Sequence, residues 1–152
     1  MDDDLQPGNA LGTEHRVIRL LGQGAFSKVI LAEPTNGQKP VAIKLVDRKT
    51  CQKNDRMRTS VMREVEVLKH IHHPSLIHLL TSFNTVKYTC LVLEYAPGGE
   101  LFDLLASHHA DFTEPFVRRI FGELVDVLGW MHSIGLVHRD IKLESESLPT
   151  SK

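Results

Sequence analysis

Four short stretches and one isolated acid have the residue types to handle a phosphate and a proton. In residues 21–29 (LGQGAFSKV) the glycines would let main chain approach a phosphate closely and offer N–H donors with no side chain in the way. A lone G-x-G is weak evidence, because a tight hairpin uses the same residues. A dinucleotide-binding turn is the obvious rival, but it must open a helix, and the segment after Ser27 alternates as a strand. Lys44 closes the apolar run VAIK (41–44), where a lysine ordinarily snorkels to the solvated face. Glu64 is an ordinary acid on an amphipathic stretch, and residues 91–102 (LVLEYAPGGELF) read as a strand, a turn and a helix start. HRDIK (138–142) is short enough to recur by chance.

The elements that must position these residues follow from periodicity. Residues 15–32 read as two strands around the glycine-rich turn, and 33–40 (EPTNGQKP) as a turn-rich connection to a strand over 41–46. Val61, Val65, Leu68 and Ile71 share one helical face between residues 58 and 71, and Pro74 closes that segment. Two further strands are expected over 77–84 and 88–95, then a short helix over 100–107. A long helix is expected over 114–133, with Pro115 in its first turn and Gly135 beyond its end. Val117, Ile120, Phe121, Leu124, Val125, Leu128 and Met131 give that helix a broad apolar face. Strands with one inserted helix, followed by helices, make an α+β pattern.

At 152 residues and 41% hydrophobic, the chain fits one domain with a real core. A formal charge of −1 gives no long-range pull toward nucleic acid or an anionic membrane. Residues 48–58 (RKTCQKNDRMR) are locally basic and read as a solvated loop. Residues 1–14 show no periodicity and read as a loose tail, neither signal nor transit peptide. Cys90 reads as an inert core residue and Cys51 as an exposed thiol, with no disulfide framework. With no apolar run long enough to cross a bilayer, a cytoplasmic or nuclear protein is expected. The cluster His70, His72, His73 and His78 lacks a paired second set or a cysteine partner, so no metal site is expected there.

Taken in order, the glycine turn, strand lysine, helix glutamate, Glu-Tyr-x-x-Gly-Gly-Glu turn and His-Arg-Asp resemble the eukaryotic protein kinases of serine/threonine type, over residues 15–144. The resemblance implies an N-lobe of five antiparallel strands plus one helix, to about residue 96. The first helices of an incomplete helical C-lobe would follow over 97–144, then a polar tail at 145–152. It implies ATP as phosphoryl donor and a protein hydroxyl as acceptor, with the protein substrate or regulatory partner unread. Gly22 and Gly24 would cover the phosphates with Phe26 at the loop tip; Ser27 stands at the family's third glycine and would stiffen the loop. Lys44 would pair the α- and β-phosphates, held by Glu64, which is preferred over Glu66 by counting back from His73-Pro74. Adenine would lie among Leu21, Val29 and Ala42 and bond the backbone of Glu94 and Ala96, with Leu93 as gatekeeper and Glu100 near the ribose. Asp140 would accept or orient the hydroxyl proton, a role worth about 10²–10⁴-fold. Lys142 resembles the lysine near the transferred group, Arg139 the arginine that senses activation-loop phosphorylation, and His138 a packing residue.

The pattern then breaks. Ser145 stands where the family has a metal-binding asparagine, and no Asp-Phe-Gly occurs, so Mg²⁺, expected for the complete family domain, has no protein ligand here. Residues 144–152 (ESESLPTSK) contain a single large apolar residue, Leu148. These 152 residues are therefore expected to be an N-terminal fragment that binds ATP weakly, transfers little or no phosphate and dissolves poorly. The rival expectation is a non-catalytic, pseudokinase-like or decoy interaction module from a splice or truncation product.

Overall fold

The computed structural model describes residues 5–24, 27–99, 101–107, 112–139 and 141. Six strands, β1 (Ala10–Leu11), β2 (His15–Gln23), β3 (Ser27–Pro34), β4 (Val41–Asp47), β5 (Leu79–Asn84) and β6 (Tyr88–Glu94), form one antiparallel sheet in the order β1-β2-β3-β4-β6-β5. Two helices, α1 (Arg48–Lys53) and α2 (Asp55–His70), interrupt the meander between β4 and β5. α3 (Leu101–Ser107) and α4 (Glu114–Ser133) follow it. This is the expected α+β class, with one strand and one short helix more than expected.

Register assigns the side chains to two faces. Facing residues of antiparallel strands lie on one side, and alternate residues on the other. Ile30, Ile43 and Val92 form one row of the back face, flanked by the row Leu45–Cys90 and the row Val17–Ala32–Val41. These residues, closed over by Leu5, Leu11 and Tyr88 with Phe83 against them, are the core. The front face carries Val29, Lys44 and Leu91 in one row and Leu31, Ala42 and Leu93 in the next. β4 is buried on both faces, which explains its nearly unbroken apolar run.

Residues 5–14 are not the loose tail expected of them. Gly8 N–H donates to Val17 O (2.8 Å) and Val17 N–H to Asn9 O (2.9 Å), so the segment lies along β2. Leu11 pairs with His15 across a turn at Gly12, whose φ of +64° favours glycine. Leu5 and Leu11 are buried against the back of the sheet. Two leucines six apart make no period, so the strand pattern could not disclose them.

The basic stretch 48–58 is solvated but helical rather than a loop. Asp47 caps α1 by accepting from Thr50 N–H (2.7 Å) and Thr50 Oγ (2.8 Å), and Asn54 caps α2 by accepting from Met57 N–H (3.1 Å). Good helix formers between two caps outweigh the charge run. Cys51 is half-buried rather than exposed; Cys90 is fully buried, and both are free thiols. No helix among the described residues is long and apolar enough to cross a membrane.

The chain divides into two compact units, the sheet with α1 and α2 (to residue 72, and 77–95) and a second unit of residues 73–76 with 96 onward. In the second, Thr113 caps α4 by accepting from Phe116 N–H, Pro115 lies in its first turn, and Gly135 (φ +77°) terminates it. Val127 and Met131 are buried and Trp130 packs on the His73 ring at 5.0 Å, while Val117, Phe121 and Val125 form an exposed stripe.

Candidate functional site

The glycine turn joins β2 to β3 at one end of the front face. Gln23 faces Lys28, Gly22 faces Val29, and Gly24 N–H donates to Ser27 O at 2.8 Å. The register slips between Leu20 and Gly22, leaving Leu21 as the extra residue of a bulge, a device that re-aims a side chain and tightens strand twist. Neither Gly22 nor Gly24 has a left-handed backbone, and a Cβ on Gly22 would meet nothing within 4 Å. Local geometry therefore does not demand glycine at 22; what glycine provides there is clearance over the main chain. Phe26 lies outside the described residues.

Beneath this turn the front row runs Gly22, Val29, Lys44, Leu91. Lys44 Nζ donates to Glu64 Oε1 at 2.6 Å, joining the middle of β4 to α2 across twenty residues of sequence. Both side chains are partly exposed, 27% for Lys44 and 38% for Glu64, so the pair is open to solvent and to a ligand. Glu66 points elsewhere, toward His70 at 3.5 Å. Ala42 is buried next to Leu93 in the adjoining row, with Val29 and Ser27 half-buried, so an apolar strip lies beside a single ammonium.

Glu94 ends β6. Its side chain shares the back-face row of Val41 and is fixed there by His78, whose imidazole Nδ1–H and backbone N–H both donate to Glu94 Oε2 (2.9 and 3.1 Å). Glu94 N–H returns a bond to His78 O at 3.0 Å. This clip had no periodic or motif signal in the sequence. Ala96 is half-buried and belongs to the second unit. Glu100, Asp140, Lys142 and Ser145 lie outside the described residues. Arg139 has φ +70°, the left-handed region that non-glycine residues seldom occupy. The histidine cluster is divided among separate tasks: His70 against Glu66, His72 near His78, His73 against Trp130 and His78 on Glu94. Among the described residues no group of three or more His, Cys, Asp or Glu could hold a metal ion.

An antiparallel sheet with a glycine turn over a strand lysine, and that lysine tied to an inserted helix, defines a phosphate-handling class of fold. Residues 15–145 match the profile of the protein kinase domain, and the chain belongs to that family. It is 36% identical to CBL-interacting protein kinase 31 of Oryza sativa subsp. japonica over 88% of this chain and 29% of the relative. It is 40% identical to the RAC serine/threonine-protein kinase of Drosophila melanogaster over 84% of this chain and 21% of the relative. CBL-interacting serine/threonine-protein kinase 13 of Arabidopsis thaliana matches at 35% over 91% and 27%. The chain thus spans less than a third of the length of each of these relatives.

Proposed function

We propose that this chain supplies the nucleotide-holding part of an ATP-dependent serine/threonine protein kinase, which moves the γ-phosphoryl group of ATP to a protein hydroxyl. The observation that carries the reading is the 2.6 Å Lys44–Glu64 pair on the sheet face that also bears Gly22 and Val29. Glu64 fixes an otherwise flexible ammonium where it can meet the α- and β-phosphates, a positioning role rather than a covalent one. The clearance at Gly22 supports close approach of main-chain N–H groups to phosphate. Leu21, Val29, Ala42 and Leu93 would bracket the adenine, with the backbone of Glu94 and Ala96 bonding its edge and Glu100 near the ribose. Gly24 and Ser27 complete the loop over the phosphates.

Asp140 would orient the acceptor hydroxyl and take its proton, and Lys142 would steady the charge on the transferred group. Arg139, held in its left-handed backbone, would read a phosphate elsewhere in a complete domain. Mg²⁺ would neutralise phosphate charge in such a domain. Among the described residues no group of three or more His, Cys, Asp or Glu could hold it, and Ser145 stands where the family pattern has asparagine. The protein acts at the cytoplasmic or nuclear side in this reading.

The test is ATP binding and phosphoryl transfer by the full protein that carries these residues, beside Lys44→Met. Loss of one ammonium aimed at developing charge is expected to lower transfer about 10²-fold or more. Transfer by Lys44→Met equal to wild type would falsify the reading. The 152-residue polypeptide alone is expected to bind ATP and to transfer little.

A further inference from the structure

We propose that His78 is a positioning residue for the adenine-binding strand end, acting from behind the sheet through Glu94. The inference rests on the kinase reading above, which uses only the Glu94 backbone, and assigns a function to the side-chain contact between His78 and Glu94.

The β5–β6 ladder is interrupted beside this pair. β5 and β6 pair from Asn84–Thr89 back to Leu79–Leu93, but the register slips between Leu79 and Thr81, so the ladder is disrupted just before β6 ends. Beyond the slip, His78 takes over. Its carbonyl accepts from Glu94 N–H (3.0 Å), and its own N–H and imidazole Nδ1–H converge on one carboxylate oxygen (3.1 and 2.9 Å). Because a carboxylate only accepts, Nδ1 carries the proton. On the other side Glu94 faces Val41, the first residue of β4. Glu94 is thus held from both neighbours at a point where a strand end ordinarily frays.

Orientation decides what the clip can do. Val41 and Glu94 share the back-face row, whereas Ala42 and Leu93 share the front-face row, next to that of Val29 and Lys44. Holding the Glu94 side chain at the back leaves the front free for a base. Recognition there would depend on main-chain donors and acceptors, which cannot adjust by rotamer, so strand placement within a few tenths of an ångström sets the quality of those bonds.

The experiment compares ATP with inorganic tripolyphosphate as probes, using calorimetry on the full chain carrying these residues, with melting temperatures measured in parallel. His78→Ala is expected to weaken ATP binding about five-fold, the scale of a lost or misaligned hydrogen bond, and to leave tripolyphosphate unchanged. His78→Asn, which can present an N–H near the position of Nδ1, is expected to recover most of the loss. If His78→Ala fails to fold, Glu94→Gln supplies the test, with an expected loss of about two- to three-fold for ATP alone. ATP affinity unchanged in these variants, or ATP and tripolyphosphate weakened together with the melting temperature, overturns the proposal while the kinase reading stands. A wild-type chain that binds neither probe removes both.

Discussion

Lys44 and Glu64 illustrate how a contact can matter more to chemistry than to stability. Both are partly solvated, so the pair is worth about 0.5–1 kcal/mol to the fold. Lys44→Met is therefore expected to shift the chemical-denaturation midpoint slightly while removing most nucleotide affinity, and denaturant titration beside calorimetry separates the two effects. His15 works in the opposite sense. It is buried and stacked on Phe83 at 5.5 Å, and its Nδ1 has no hydrogen-bond partner among the described residues. Burial holds its pKa below the usual 6.5, against a smaller raising effect of Glu14. The unfolded chain then binds the extra proton first, so stability should fall as pH drops below about 6.5 and level off once the folded histidine is protonated. Melting temperatures from pH 7.5 to 5 should show this fall in wild type, and His15→Phe should flatten it. At Cys90, burial pushes the thiol up to about 12, and at Cys51 burial and then Asp47 raise it less. A maleimide at pH 7.5 should label Cys51 slowly and Cys90 only after unfolding.

The caps decide the helices that composition alone leaves open. The backbone N–H and then the hydroxyl of Thr50 hold the Asp47 carboxyl below its usual range. Asp47→Ala should cost about 1 kcal/mol near neutral pH. The sign follows from the depressed value: the contribution is full above the ordinary pKa of 3.8 and is lost as pH falls through the folded-state pKa. Wild type and variant should therefore converge in urea titrations at the acid end. The same two caps explain why a charge run misread residues 48–58, since Asp47 and Asn54 set helix starts among basic neighbours only once the backbone closes on them. Strand alternation and the Pro115–Gly135 brackets were legible because each is a local rule. The bulge at Leu21, the seating of Leu5 and Leu11, and the His78 clip were not, because each depends on a partner distant in sequence or on a register slip. The Lys44–Glu64 partnership was readable through motif order, although neither residue is unusual by itself.

At the scale of the whole chain, the sheet unit closes its own back with residues 5–14, while the second unit presents Val117, Phe121 and Val125 to solvent. Leu11→Ala should cost about 2–4 kcal/mol, because Leu11 is buried in the back-face core and its loss leaves a cavity there. Phe121→Gln should change stability by no more than about 0.5 kcal/mol. It should also raise the concentration at which the 152-residue polypeptide precipitates. The two units thus differ in how much apolar surface they leave wet. Within the sheet unit there is a similar contrast: β4 is embedded on both faces, yet α2 has no fully buried side chain anywhere along its sixteen residues. The helix is held by half-buried Val61, Val65 and Leu68 and by an ammonium–carboxylate bond that solvent can reach. Deuterium should consequently enter α2 by brief local excursions, orders of magnitude sooner than it enters β4, and high salt should widen that gap.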